Sequence, residues 1–412
     1  KNVETLNLTS NGAVTIDATG YTGMETVSSS SVGNSTITAS ATTDIVAAAA
    51  APTGAGAIAI NGGKNITATS TDTAVAGTGS ANTTVIGATA RPAGTIVVSQ
   101  TESITDDTVA GADTSTTGSI TVNGGTSVNV TSLATLGTAE NPGDIVTIGD
   151  VTVNGRGTVT DVTVTQQAQT LAFNGGTRTA IKATAGAVAI TNLNTALKAD
   201  TIKTVSLTSY ANSTHTGNVL ETVTLNGGSS VGTIAGSFTI AQSNGLTTAG
   251  TIPTELTVNA NGYITSVVDT NDQYKTLNIS TAIGGYINDL DLTKVADLNI
   301  SGAKALTIGT LTSLAALATI DSTGAGVTIT PTLQTGQTFT GGDGVEKVQV
   351  GAQTTAIALG AGNDQLTMTG AAFGTGGSAD GGDGTDTLVM TAASAVTASA
   401  TAAFEAKISN FE

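Results

Sequence analysis

The chain has 412 residues, of which only 10% are charged and 52 are glycine, with 5 Tyr, 6 Phe, one His and neither Trp nor Cys. Thirteen Lys and Arg against 30 Asp and Glu leave a net charge of −17. That excludes a disulfide scaffold or a thiolate metal centre, and it disfavours nucleic acid as a partner because the chain repels phosphate. With 39% hydrophobic residues, the chain is too apolar and too sparsely charged to be disordered.

At roughly 150 residues per domain, this length leaves room for two or three domains. The longest apolar run, Ile45–Ala51, stops at Pro52, far short of the roughly 20 residues a membrane-crossing helix needs. It reads as a packed return or loop rather than a partner helix. Lys1 stands where an initiator Met is expected and the chain opens inside an apparent strand, Val3–Leu8. It therefore reads as a fragment whose targeting signals lie elsewhere.

From there on, period-2 alternation dominates: Ile58-Ala59-Ile60, Ile120-Thr121-Val122, Val128-Asn129-Val130, Val151-Thr152-Val153, Val162-Thr163-Val164 and Leu277-Asn278-Ile279. Each triplet puts two branched side chains on one face of a short strand. Two cassettes recur. One is apolar-x-apolar-Asn-Gly-Gly, ending at Gly63, Gly125, Gly176 and Gly228; the other is Glu/Lys-Thr-apolar-x-apolar, as in Val3–Leu8, Leu220–Leu225 and Tyr274–Ile279. Asn-Gly marks a corner that needs positive φ. The Asn spacings of 62, 31, 51 and 52 fit no strict period.

The expectation is an all-β chain, a parallel β-solenoid or β-roll of irregular coils, in three stretches: 1–190, 191–335 and 336–412. A string of β-sandwich modules with Asn-Gly hairpins is the alternative. Residues 192–203 and 311–318 are short helix candidates that also suit solenoid returns.

The last stretch carries the chemistry. It contains Gly341-Gly342-Asp343-Gly344-Val345-Glu346, Gly360-Ala361-Gly362-Asn363-Asp364 and Gly381-Gly382-Asp383-Gly384-Thr385-Asp386. This is the G-G-x-G-x-D-x-apolar-x calcium nonapeptide. Gly342, Gly351 and Gly360 fall nine apart, as do Val348, Ile357 and Leu366. Glu346 to Asp364 is 18 residues, one two-strand turn, and Asp364 to Asp386 is 22, with four inserted around Phe373–Gly377. Sharp glycine turns aim carbonyls inward, and an acid from each turn completes the oxygen set that Ca²⁺ prefers. Glu346 departs from the Asp preference.

The stretch Thr338–Met390 resembles bacterial RTX proteins. Its Thr/Ala/Ser/Gly bias and Glu-Thr-Leu cassettes make the whole chain similar to RTX-type S-layer proteins of the Caulobacter kind. That resemblance implies a calcium-dependent coat on the bacterial cell surface and secretion through a type I channel. It also implies self-association into a lattice and lipopolysaccharide anchoring through a segment absent here.

Weaker signals complete the picture. Asp269 with Asp272 and Asp289 with Asp291 are the better further cation candidates, since their carboxylates lie on one side at short spacing. Asp106-Asp107 with Asp113, and Asp144 with Asp150, are the others; solvated turns are the plain alternative for all of them. His215, in a polar segment without a second His, reads as a surface residue. Thr-x-Thr rows suit the outward side of strands better than ice or glycan binding. No nucleophile–base pair is legible, so no enzymatic activity is expected.

Overall fold

The computed structural model describes residues 3–51, 56–74, 82–104, 113–136, 145–168, 171–174, 177–180, 182–192, 200–228, 236–241, 252–311 and 313–412. It is all-β, built from parallel strands stacked in register as in a β-solenoid. Two compact units are distinguished, residues 1–220 with 241–249, and residues 221–240 with 250–412.

In the first unit, consecutive strands alternate between two faces. Thr5–Ser10, Thr26–Ser31, Asp44–Ala51, Ile66–Ala74, Ile96–Ile104 and Ser127–Thr135 stack on one face. Ser35–Ala39, Ile58–Gly62, Thr84–Ile86, Ile120–Asn123 and Val151–Asn154 stack on the other. Alternation decides what is buried: Ile66, Ala68, Ser70 and Asp72 point inward, and the threonines between them point out. Three rungs add a third wall, Thr114–Thr116, Ile145–Thr147 and Lys182–Thr184. A small apolar cluster of Ile104, Ala134, Leu136, Val146 and Ile148 lies in this region.

Two of the Asn-Gly corners behave as read. Gly62, Gly63, Gly124 and Gly125 all have positive φ, and Asn154 donates across to Asn123 Oδ1 at 2.9 Å. Gly155 and Gly227 turn without positive φ, and Asn174 ends one strand of an antiparallel hairpin, Leu171–Asn174 with Thr177–Ala180.

Two expectations are corrected. Ile45–Ala51 is neither return nor loop but most of the strand Asp44–Ala51. Alanine is a poor strand former, but here Ala47, Ala49 and Ala51 fill inward positions and neighbouring strands satisfy the backbone. His215 lies not in a surface loop but on the strand Ser213–Thr216, paired with Ile190 and 0% exposed. Of the helix candidates, residues 193–199 lie outside the described residues. Residues 313–318 form turns rather than a helix, with Leu311, Leu314 and Leu317 buried.

The second unit repeats the two-face scheme more tightly. The long strand Glu255–Asp269 covers both faces by turning at Gly262, whose φ is +74°. Leu277, Leu298, Ile320, Phe339, Ile357 and Ala379 stack in register on one face. Val348, Leu366 and Leu388 stack on the other. Each fully buried Leu or Ile contributes about 1.5–3 kcal/mol relative to exposure, so this apolar stripe holds the unit together.

Val348 to Leu366 is one rung of 18 residues, and Ile357, nine residues on from Val348, sits on the opposite face. The four-residue insertion bulges at residues 369–377. There Phe373 stacks on Phe404 with ring centroids 6.1 Å apart. Phe404 belongs to a helical pair, Ala402–Glu405 after Ala392–Ser399, whose first turn is capped by Thr391. Nothing in the sequence reading foresaw these helices.

Candidate metal ladder

The glycine motifs form the corners that carry the chain from one face to the other. Residues 341–346 link Thr338–Thr340 to Lys347–Val350, 359–364 link Ala356–Ala358 to Gln365–Met368, and 381–386 link Ser378–Asp380 to Thr387–Val389. All three corners therefore lie along one edge. They stack closely enough to exclude side chains. A Cβ on Gly362 (φ +152°) would lie 1.9 Å from Gly344 O, and one on Gly384 (φ +141°) would lie 1.5 Å from Gly362 O. Only glycine tolerates both the torsion and the contact.

Three of the predicted acids close these corners. Glu346, Asp364 and Asp386 each precede the second-face strand, and all are 0–1% exposed. One oxygen of each is committed to the neighbouring rung. Glu346 N donates to Asp364 Oδ1 at 2.8 Å, and Asp364 N donates to Asp386 Oδ1 at 2.8 Å. Ser322 Oγ donates to Glu346 Oε1 at 3.1 Å. At the other end Asp386 N donates to Glu412 Oε2 at 2.7 Å. Acid follows acid from rung to rung.

The other oxygens, Glu346 Oε2, Asp364 Oδ2 and Asp386 Oδ2, are buried and have no hydrogen-bond partner. A buried acceptor left unmet costs about 1–3 kcal/mol, more when charged. Burial, then the Asp364 carboxylate, pushes Glu346 up to about 7. Asp364 is likewise raised, chiefly by burial, against the bond from Glu346 N. These groups resist ionising side by side, and a hard cation at their unmatched oxygens removes both penalties.

The remaining predicted ligands fall in different places. Gly342, Gly344, Gly360, Gly362, Gly382 and Gly384 line the corners. The carbonyls of Gly342 and Gly360 accept from Ala361 N and Asp383 N. Asp343 and Asp383 are exposed and take no part in the ladder. Asp269 is buried with both oxygens used, accepting from the N–H groups of Asn271 (2.9 Å), Gln273 (3.0 Å) and Tyr274 (3.5 Å). Asp272, at φ +53°, accepts from the Thr293 hydroxyl. Asp289 and Asp291 share the outward side of Gly285–Asp291 as read, and Asp289 accepts from Thr310. Asp150 accepts from Ala187 N, and Asp113 is buried. Asp106, Asp107 and Asp144 lie outside the described residues.

Sequence reasoning missed the ladder's ends. Ser322 and Glu412 belong to no nonapeptide, and only stacking brings them to it. Among the described residues no three His, Cys, Asp or Glu side chains converge on one point. A ladder supplies only one carboxylate per rung, so main-chain carbonyls must complete any cation's shell. No family model matches the chain, and no curated protein does.

Proposed function

We propose that the chain is a structural protein of a calcium-dependent two-dimensional S-layer lattice, secreted to the bacterial cell surface. One observation carries the reading: Glu346, Asp364 and Asp386 stack rung on rung, fully buried, each with one oxygen unmatched. These three acids, with Glu412 and the corner carbonyls, would hold Ca²⁺ between successive rungs. The ion would supply positive charge to carboxylates that otherwise repel one another.

The same logic extends to assembly. Protomers carrying −17 each repel until divalent cations neutralise them. Ion binding, folding and tiling then share one trigger, and a chain in a low-calcium interior stays open enough for export. In this reading the layer is held to the cell through lipopolysaccharide, and no catalysis is involved.

Calcium titration of the purified chain, followed by light scattering and electron microscopy, tests it. Sheets at millimolar calcium are the expected result. A chain that orders with calcium yet stays monomeric would instead be an adhesin stalk or ligand-binding module.

A further inference from the structure

The first unit buries a second acidic pair that belongs to no glycine motif. Ala51, Asp72, Glu102, Ala134 and Ala168 occupy one register position on five successive strands. The first four point inward and are at most 4% exposed, with Asp72 and Glu102 at 1% each. Two carboxyl groups thus interrupt an alanine column on adjacent strands, which lie about 4.8 Å apart.

Asp72 sits opposite Glu102 on the neighbouring strand, and burial, then the Asp72 charge, pushes Glu102 up to about 8. Glu102 Oε1 is buried and has no hydrogen-bond partner. Alanines, Ala51 and Ala134, flank the pair on the strands either side. The main-chain carbonyls of both residues accept from serine hydroxyls. Ser103 Oγ donates to Asp72 O at 3.4 Å and Ser115 Oγ to Glu102 O at 3.5 Å. Asp113, 3% exposed, lies two residues before Ser115.

We propose that Asp72 and Glu102 hold a divalent, oxygen-seeking cation of the calcium class inside the first unit, as a site separate from the glycine ladder. Two carboxylates on adjacent strands of a core repel one another, and a cation between them relieves that repulsion. The cation binds the ionised carboxyl groups, so binding here strengthens as pH rises. The ion joins the strands Ile66–Ala74 and Ile96–Ile104 through side chains as well as through their ladder.

The test uses the full chain, stripped with chelator, in a ladder-deficient background of E346Q, D364N and D386N. Calcium titration by calorimetry at pH 8 should show a saturable event with proton release that disappears when Glu102→Gln is added. Calcium should also slow hydrogen exchange in Ile66–Ala74 and Ile96–Ile104 of the ladder-deficient chain. This second readout decides alone should Glu102→Gln fail to fold. Binding unaffected by Glu102→Gln, or exchange in those strands indifferent to calcium, overturns the site and leaves a buried acidic pair without a cation. Neither result bears on the ladder, which is read from the parent chain.

Discussion

Asp269 and Asp364 are both buried aspartates at strand ends of the same unit, yet they do opposite things. Asp269 accepts three backbone N–H groups and folds the 269–274 turn around itself, so both its oxygens have partners in the chain, although burial still raises its pKa. Asp364 accepts one N–H from the rung before it and leaves Oδ2 without a hydrogen-bond partner. The difference is the corner. A turn that wraps its own acid makes a structural residue, whereas stacked glycine corners with little backbone to spare leave an oxygen for a ligand.

The harshest way to break this comparison is to fill the corner. Gly384→Ala puts a methyl group 1.5 Å from Gly362 O at φ +141°. It should cost on the order of 3–5 kcal/mol and remove the calcium response, read by chemical denaturation with and without the ion. An alanine variant of wild-type stability would mean that the corners do not stack this way.

Next in size, Asp364→Ala combined with Asp386→Ala should abolish calcium-induced ordering in circular dichroism and flatten the calcium dependence of Tm. The parent should gain about 2.7 kcal/mol per site at calcium a hundred times its dissociation constant. An unchanged calcium response in the double variant would remove the ladder as its source.

The pH dependence sharpens the contrast further. Glu346 is raised in the folded chain from 4.5 to about 7. Between those values the folded state binds more protons than the unfolded one, so its contribution to stability falls as pH rises. In chelator the parent should therefore lose more stability than Glu346→Gln from pH 4.5 to 7, and saturating calcium should erase that difference. A parent that gains stability over Glu346→Gln in that window contradicts the raised carboxyl.

The smallest effect belongs to the structural acid. Asp269→Asn keeps one acceptor for the turn and should cost about 1 kcal/mol, with the calcium-induced Tm shift unchanged. A lost shift would make Asp269 a ligand after all.

Much of this was legible because both signals are local. Period-2 alternation reports strands directly, and the in-phase spacing of Val348, Ile357 and Leu366 gave the 18-residue rung and its two faces. Glu346, Asp364 and Asp386 followed from the same phase. What escaped depends on contacts distant in sequence. Ser322 and Glu412 join the ladder only by stacking, and Asp72 meets Glu102 across 30 residues without any motif. His215 alternates in phase with Ser213, a pattern that marks an inward position, but its polar neighbours hid it. The alanines of Asp44–Ala51 carry no strand preference of their own and take it from the strands beside them. The unmatched oxygens could be found only with coordinates, because the same Asp in another corner is satisfied.

The most direct measurement is an anomalous difference map from crystals of the chain grown in millimolar calcium. Peaks beside Glu346 Oε2, Asp364 Oδ2 and Asp386 Oδ2, one at each step between rungs, are the predicted result. Stacked corners with no peak at any of those oxygens would contradict the account.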